Sequence, residues 1–323
     1  MQCHANHTTR RELMAGAGAV LLGSMLGGSR IVLAHDEKPR KRVLRIAHLT
    51  DMHVQPELSG GDWVVKCLHH VQSQQQKPDV IFFGGDTIMD SFDEAEARPR
   101  ELWGLWQRLI KGECGLPMEY CLGNHDIWGW NKKKSGTTGS EPLYGKKWAL
   151  EVMGLERPYR SFDRAGWHFI VLDSTHTHNE DGYIARLDPE QMAWLESDLK
   201  KTPKDRPVGV LSHIPIASVA GMVWAEAQND RSFRVSGSLI HSDQAEIRKL
   251  FAEHGNVRLA LSGHLHLVDR CEYEGVTYLC NGAVSGSWWK GKHRDCNPGY
   301  ALVDLYEDGT VDRHYVEYGW KPA

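Results

Sequence analysis

The chain has 323 residues, of which 41% are hydrophobic and 25% are charged, and its formal net charge is −4. These values are ordinary for a globular protein and exclude a collagenous, low-complexity or disordered chain. Because the charge is slightly negative and no long basic run occurs, we expect no extended nucleic-acid surface. No Pro- or Ser-rich linker interrupts the chain after its N-terminal segment, so we predict one domain over 35–323.

The N-terminal segment, residues 1–34, is predicted to be a signal peptide. Arg10 and Arg11 precede an uncharged stretch at 13–29, and Ala34 supplies a small residue for cleavage, which is typical of twin-arginine signals. The alternative is an uncleaved anchor, although the apolar run is shorter than the ~20 residues that span a bilayer. We therefore expect an exported protein, periplasmic or extracellular, with no stable membrane span after signal removal.

Short runs rich in β-branched and aromatic residues predict strands at 43–49, 80–83, 119–122, 168–172, 208–211, 257–261, 276–280, 301–306 and 311–318. Helical patterns lie between them at 63–76, 100–111, 143–153, 189–200 and 243–254. Asp188 and Ser242 are the expected N-terminal caps of the last two helices, and Gly255 is the expected end of the final one. Strands that alternate with helices, followed by late hairpins, predict an α/β fold with mixed sheets.

Six cysteines remain once the signal segment is removed, and an even number in an exported protein permits disulfides. Cys271 and Cys280 flank a predicted hairpin turn at 274–275, which allows them to face each other. The alternative, that the thiols are free and buried, stays equally open because Cys is among the most buried residue types. We assign no catalytic role to any cysteine.

Metal-ligand side chains follow five of the predicted strands. They are Asp51, His53, Asp86, Asn124, His125, Asp126, His213, His264 and His266. Each motif alone is typical of a polar turn or a surface histidine. Because ligands collect at the carboxyl ends of strands in α/β sheets, their joint occurrence indicates one shared cleft. The glycines before them, Gly85, Gly123 and Gly263, are expected to allow sharp turns.

The donor types at these strand ends point to a dinuclear metal centre. Asp, His and one Asn suit Mn, Fe or Zn, in divalent or trivalent form, whereas thiolate ligands and an all-oxygen cage are missing from the pattern. Two cations ~3.5 to 4 Å apart need a shared carboxylate and can clamp a phosphoryl displacement from both sides. We predict Asp86 as that shared ligand.

At these residues the sequence resembles the calcineurin-like metallophosphoesterases, whose ordered motifs all occur between positions 51 and 266. The resemblance implies a four-layer α-β-β-α sandwich with two mixed sheets. It implies one metal held by Asp51, His53, Asp86 and His266. It implies a second metal held by Asp86, Asn124, His213 and His264. The stretch Leu172-Asp173-Ser174 with Gln191 and Trp194 is similar to members near the cyclic nucleotide phosphodiesterases.

The position of one carboxylate departs from that family pattern. Many relatives place a carboxylate three residues after the shared Asp, where it orients the catalytic His; here that position is Met89, and the carboxylate is Asp90. Asp126 is an alternative for the same role. We therefore predict His125, Asp126 and Asp90 as the catalytic group, with the orienting carboxylate left open. Met89 argues against the purple acid phosphatases, which have Tyr at this offset.

The resemblance implies hydrolysis of a small phosphorylated substrate, with a metal-bridging hydroxide attacking phosphorus in line and His125 assisting the leaving group. We favour a phosphodiesterase over a phosphomonoesterase. The alternative function is a non-catalytic metal-binding scaffold of the same fold. Trp128 and Trp130 either line the leaving-group pocket or pack their own loop. Trp288 and Trp289 are expected to be structural, with the opposite wall of that pocket as the alternative.

Overall fold

The computed structural model describes residues 40–179 and 181–322; the predicted signal segment, 1–34, lies outside the described residues. The strands are β1 Arg42–Leu49, β2 Val80–Phe83, β3 Met118–Tyr120, β4 Arg160–Arg164, β5 Trp167–Val171, β6 Thr175–His178, β7 Gly182–Ala185, β8 Val208–Leu211, β9 Glu226–Ala227, β10 Phe233–Arg234, β11 Val257–Ser262, β12 Cys271–Tyr273, β13 Val276–Cys280, β14 Tyr300–Tyr306 and β15 Val311–Val316. The α-helices are α1 Gly60–Gln72, α2 Ala97–Glu113, α3 Lys132–Ser135, α4 Lys147–Met153, α5 Pro189–Lys201 and α6 Gln244–His254. Two 3-10 helices occupy Glu57–Ser59 and Ala220–Trp224.

The strands form two larger mixed sheets and two short hairpins. The five-stranded sheet has the order β15-β14-β1-β2-β3, in which β1, β2 and β3 are parallel and β14 and β15 are antiparallel to their neighbours. The six-stranded sheet has the order β12-β13-β11-β8-β5-β4, with β13, β11, β8 and β5 parallel. The predicted α/β class with mixed sheets is confirmed.

The inner faces of the two larger sheets share one hydrophobic core. Ile46 and Phe82 of the five-stranded sheet lie in the same buried cluster as Phe169, Leu211 and Leu261 of the six-stranded sheet. Because side chains alternate along a strand, the neighbouring residues face away from this core. The opposite face of the five-stranded sheet packs against α1 and α2, and that of the six-stranded sheet packs against α5 and α6.

Helix ends follow the expected capping chemistry with one correction. Asp188 accepts a hydrogen bond from the Gln191 backbone N–H at 2.7 Å, with Pro189 in the first turn of α5. Gly255 ends α6 in the left-handed conformation. Ser242 does not cap α6, because its hydroxyl donates to the Ala185 carbonyl and the helix begins one residue later than predicted. No helix of the described residues is both long and apolar enough to cross a membrane.

The late hairpin excludes the proposed pairing of Cys271 with Cys280. Its two-residue turn pairs Tyr273 with Val276, which places Cys271 opposite Tyr278. All six cysteines within the described residues are free thiols, and three of them are fully buried. The alternative of free, buried thiols therefore describes this structure.

Candidate metal centre

Five loops, each following a strand, bring the seven predicted ligand side chains into one cleft. The five-stranded sheet supplies four from the ends of β1, β2 and β3: Asp51, His53, Asp86 and Asn124. The six-stranded sheet supplies three from the ends of β8 and β11: His213, His264 and His266. The cleft therefore lies where the carboxyl ends of the parallel strands of both sheets meet.

Asp51, His53 and His266 form one group whose ligand atoms lie within 4.8 Å of one another. His266 Nε2 is 3.2 Å from Asp51 Oδ1 and 3.2 Å from His53 Nε2. The Nδ1 atoms of His53 and His266 donate to the carbonyls of Met89 and Gly286, so both Nε2 atoms are unprotonated in the neutral rings. Two such lone pairs repel each other unless a cation lies beside them, and this group therefore fits a metal ion.

Asp86, His213 and His264 form a second group, also within 4.8 Å. His213 Nε2 is 3.2 Å from Asp86 Oδ2 and 3.2 Å from Asn124 Oδ1. His264 has the reverse orientation, because its Nε2 donates to the Ser238 carbonyl at 3.0 Å and leaves Nδ1 free for a metal. This group contains the donors that the sequence assigned to a second ion.

The Asp86 carboxylate lies between the two groups. Its Oδ2 is 3.8 Å from His53 Nε2 and 3.2 Å from His213 Nε2, while its Oδ1 accepts the His125 backbone N–H at 2.9 Å. A carboxylate next to both ligand groups is the arrangement that a shared ligand in a two-metal centre requires.

Left-handed backbone is concentrated at these ligands. Five of the seven have positive φ: Asp51, His53, Asp86, His264 and His266. Asp and His tolerate this region better than most residues, yet each such residue still costs ~1 kcal/mol. Strain of this kind persists where the surrounding structure holds it and where function needs the side-chain direction. The sharp turns predicted at the preceding glycines are therefore made mainly by the ligands themselves.

Gly85 and Gly123 are required for different reasons. Gly85 has φ +90° and turns the chain toward Asp86. Gly123 does not have positive φ; a Cβ there would lie 2.1 Å from the Asp86 backbone nitrogen. Close approach, rather than an unusual turn, is what excludes a side chain at position 123.

Most of the predicted ligands with a shifted pKa have metal-binding protonation states, whereas His213 does not: burial lowers its pKa, but the charge of Asp86 and the hydrogen bond to Asp86 outweigh burial and raise the pKa to about 9. Burial lowers the pKa of His53 and of His264 to about 3, with further lowering from His125 and His213 respectively, so both rings are neutral at pH 7. Burial alone would raise the pKa of Asp86, but the charges of His213 and His125 outweigh it and hold that pKa well below its ordinary value. Neutral imidazole and ionised carboxylate are the forms that coordinate metals.

The orientation of His125 comes from Asp90. His125 Nδ1 is 2.9 Å from Asp90 Oδ1, so its Nε2 remains available at the cleft. Burial lowers the pKa of His125, but the charge of Asp86 and the hydrogen bond to Asp90 outweigh it and raise the pKa to about 9. The alternative, that Asp126 orients His125, is wrong: the Asp126 carboxylate is fully buried and accepts backbone N–H groups of Thr87 and Gly123 at 2.8 and 2.9 Å.

The cleft contains a cavity of about 150 Å³ with aromatic side chains in its wall. Tyr183, on the β6–β7 hairpin, lies 6.2 Å from the His264 ring, and Trp288 lies 4.6 Å from the His266 ring. Of the two interpretations of Trp288, the structure therefore favours the pocket wall over a purely structural role, whereas no motif marks Tyr183. Trp128 instead packs its own loop, donating to the Glu94 carbonyl and stacking edge-on against Trp148.

Residues 44–268 match the family model of the calcineurin-like phosphoesterases. The chain belongs to this family. Membership makes it a dinuclear-metal phosphoester hydrolase. The two groups on either side of the Asp86 carboxylate offer His and Asp donors, which suit transition-metal ions. The predicted family and enzyme class are confirmed.

Two bacterial relatives of this calcineurin-like phosphoesterase have described activities. A 3′,5′-cyclic-nucleotide phosphodiesterase of Nostoc sp. is 29% identical over 163 residues, which cover 49% of this chain and 55% of that protein. The 3′,5′-cyclic adenosine monophosphate phosphodiesterase CpdA of Haemophilus influenzae is 24% identical over 292 residues, covering 85% of this chain and 89% of that protein. The Nostoc match thus spans about half of each protein, whereas the Haemophilus match extends over most of both.

Solved structures share the fold of this phosphoesterase at low sequence identity. A dimetal phosphatase from Danio rerio superposes with a TM-score of 0.57 at 14% identity, over 86% of this chain and all of that one. The anchor protein of the inner membrane complex of Plasmodium superposes with a TM-score of 0.52 at 17% identity, over 86% of each chain. At these identities the likeness concerns the fold alone.

Proposed function

We propose that this phosphoesterase hydrolyses small phosphodiesters, with 3′,5′-cyclic nucleotides as the leading substrates. The observation that carries the proposal is the convergence of seven candidate ligand side chains in one cleft, with Asp86 between the two groups and His125 beside it. Two relatives named as cyclic nucleotide phosphodiesterases support the substrate class. Fold alone would not support it, because one fold hosts many activities.

The donor sets support two transition-metal ions, Mn, Fe or Zn. Asp51, His53, Asp86 and His266 would hold one ion. Asp86, Asn124, His213 and His264 would hold the other. When bound, such ions activate a water molecule as the nucleophile and neutralise charge on the phosphoryl oxygens.

His125 is the residue that we propose to protonate the leaving alkoxide. Asp90 fixes the ring through Nδ1, so the Nε2–H points away from that contact and is free to donate. Asp86 fixes the position of the same residue from its other side by accepting the His125 backbone N–H. The proton donor and the shared ligand are therefore held in one rigid unit, which keeps the donor in place during turnover.

The test combines metal analysis with a substrate comparison on the purified protein. We expect about two equivalents of transition metal per chain after reconstitution, and faster hydrolysis of 3′,5′-cyclic AMP than of 4-nitrophenyl phosphate. Faster hydrolysis of the monoester would overturn the diesterase assignment. Metal binding with neither ester hydrolysed would leave the non-catalytic scaffold as the function.

We also propose export through the twin-arginine route. The support is the Arg10-Arg11 pair ahead of the uncharged stretch at 13–29. Fractionation of cells that produce the full chain should place the protein outside the cytoplasm, and replacing both arginines by lysine should retain it inside. Equal export of both forms would contradict the proposal.

A further inference from the structure

The loop after β13 has an unusual backbone at two consecutive tryptophans. Trp288 has φ +50° and Trp289 has φ +67°, a region that bulky residues rarely occupy. Each residue held there costs ~1 kcal/mol or more, so the surrounding contacts must hold the loop in place. Strained residues of this kind cluster at functional sites, where the strain holds a side chain in a required position.

The contacts that hold this loop come from the metal-ligand segments. Trp289 is buried, and its Nε1 donates to the His53 carbonyl at 2.8 Å. The Ser285 hydroxyl donates to the Asp51 carbonyl at 2.8 Å. His266 Nδ1 donates to the Gly286 carbonyl. The loop is thereby fixed to three predicted ligands, and the position of Trp288 depends on theirs.

The Trp288 ring, unlike that of Trp289, is only partly buried and borders the cavity. Its centroid is 4.6 Å from the His266 ring and 5.8 Å from the His53 ring. The same cavity is lined by Asp86 and His125, so the indole shares a cavity with the residues to which the proposed function assigns the chemistry. The strained loop thus places a flat apolar surface at the reacting centre.

We propose that Trp288 is the surface against which a planar ring of the substrate stacks, which makes ring-bearing diesters the preferred class. The inference rests on the proposed phosphodiesterase function. Tyr183 and Trp224 line the same cavity, so ring surfaces form much of its non-polar wall and suit a flat ring better than a flexible acyl chain. Stacking of a base on an aromatic side chain contributes ~1–3 kcal/mol.

A matched pair of ligands isolates the planar ring. Adenosine 5′-monophosphate and ribose 5-phosphate differ only in the base, and isothermal titration calorimetry on the Mn²⁺-loaded protein measures both affinities. We expect the wild type to bind the nucleotide about tenfold more tightly, which corresponds to ~1.4 kcal/mol of stacking. Trp288→Leu should reduce this preference to about twofold or less and leave the ribose 5-phosphate affinity unchanged. Trp288→Phe should retain most of the preference, because phenylalanine also presents a flat ring.

Trp194→Leu is the matched control, because Trp194 is a half-buried tryptophan that packs on Tyr159 away from the cleft. It should keep the wild-type preference. A Trp288→Leu protein that retains the full preference overturns the inference, as does a wild type that binds both ligands equally. Loss of both affinities together, or loss of metal, would show a structural role instead.

The proposed function is tested separately by hydrolysis of bis(4-nitrophenyl) phosphate. A wild type that hydrolyses this diester but shows no preference for the nucleotide refutes the role of Trp288 alone. A wild type that prefers the nucleotide yet hydrolyses no diester refutes the proposed function and leaves the stacking surface established.

Discussion

At the scale of single residues, the chemistry of the cleft depends on side-chain directions that strained backbone provides. Asp51 and His53 both have positive φ, and so do His264 and His266 in the last motif. In an Asp-x-His or His-x-His segment of ordinary extended chain, alternate side chains share a face. The left-handed residues bend the chain at the cleft, where the Asp51 and His53 side chains still lie in one group and their backbone N–H groups donate to carbonyls of the loop after β2.

The first prediction concerns His125. Replacing it with Ala should lower kcat for a diester with a poor alkoxide leaving group by ~10²–10⁴-fold, because the departing oxygen then has no proton donor. A nitrophenolate leaving group, which needs little protonation, should be affected less. Steady-state rates on both substrates, with metal content measured in parallel, check the assignment. Equal losses on the two substrates would show that His125 acts in binding or positioning instead.

The second prediction separates two neighbouring carboxylates. Asp90→Asn should lower activity ~10-fold, because a neutral amide stabilises the charged His125 ring less than a carboxylate does. Its free energy of unfolding should stay within ~1 kcal/mol of wild type, because the amide oxygen still accepts from His125 and the partly exposed site lets water solvate the backbone N–H that loses its acceptor. Asp126→Asn should destabilise the fold by ~1–3 kcal/mol, because its amide group would face a buried backbone N–H of Thr87 or Gly123. Urea unfolding and initial rates on both variants measure the contrast. A stable Asp126→Asn protein with the larger loss of activity would reverse these roles.

At the scale of secondary-structure elements, the length of a turn fixes which residues pair across the two strands that it joins. Glu274 and Gly275 both have positive φ, as a two-residue hairpin turn requires. With those two residues in the turn, Cys271 must pair with Tyr278, so the turn length was enough to exclude its pairing with Cys280. Sequence patterns found the apolar strands but missed the β6–β7 hairpin, whose first strand, Thr175–His178, is half-exposed and polar. Because this hairpin was not predicted, Tyr183 on its second strand was not predicted to line the cleft.

The third prediction concerns the ion pairs between α5 and the β4–β5 hairpin. His168 Nδ1 is 2.6 Å from Asp163, and its Nε2 is 2.8 Å from Asp198. Burial lowers the pKa of His168, but hydrogen bonds to Asp198 and Asp163 outweigh it and raise the pKa above its ordinary value of 6.5. The resulting stability is fully present below pH 6.5 and is lost as pH rises through the folded-state pKa.

His168→Gln should therefore be less stable than wild type by ~1 kcal/mol near pH ~6 and by a smaller amount near pH ~9. Asp163 is largely exposed, so solvent reduces its contribution to this difference. Urea unfolding at the two pH values measures it. A deficit that is the same at both values would show that packing, rather than charge, accounts for the contribution of His168.

At the scale of the whole molecule, the predicted metal ligands come from loops of both larger sheets. Asp51, Asp86 and Asn124 follow strands of the five-stranded sheet, whereas His213 and His264 follow strands of the six-stranded sheet. Their inner faces share an apolar core, but the ligands at the cleft end are polar and buried. An ion bound there contacts both sheets at once, so metal binding should stabilise the packing of one sheet on the other.

The fourth prediction follows from that coupling. Adding Mn²⁺ at about 100 times its dissociation constant to chelator-treated protein should stabilise the fold by ~2.7 kcal/mol and raise Tm by several degrees. Asp86→Asn should lose most of the increase, because both ligand groups use this carboxylate. Calorimetry with and without Mn²⁺ measures the shift. An equal increase in the variant would place the metal elsewhere.

Ligand chemistry and strand patterns are local properties, so the amino-acid sequence was enough to predict which side chains bind metals and in what order they follow the strands. It could not decide between Asp90 and Asp126, which lie four and forty residues after Asp86, since that choice depends on how two loops meet. Only the tertiary fold brings the Asp126 carboxylate to the backbone N–H of Thr87 and the Trp288 ring to His266. Contacts between distant segments depend on the packing of one sheet against another, and no local pattern records that packing.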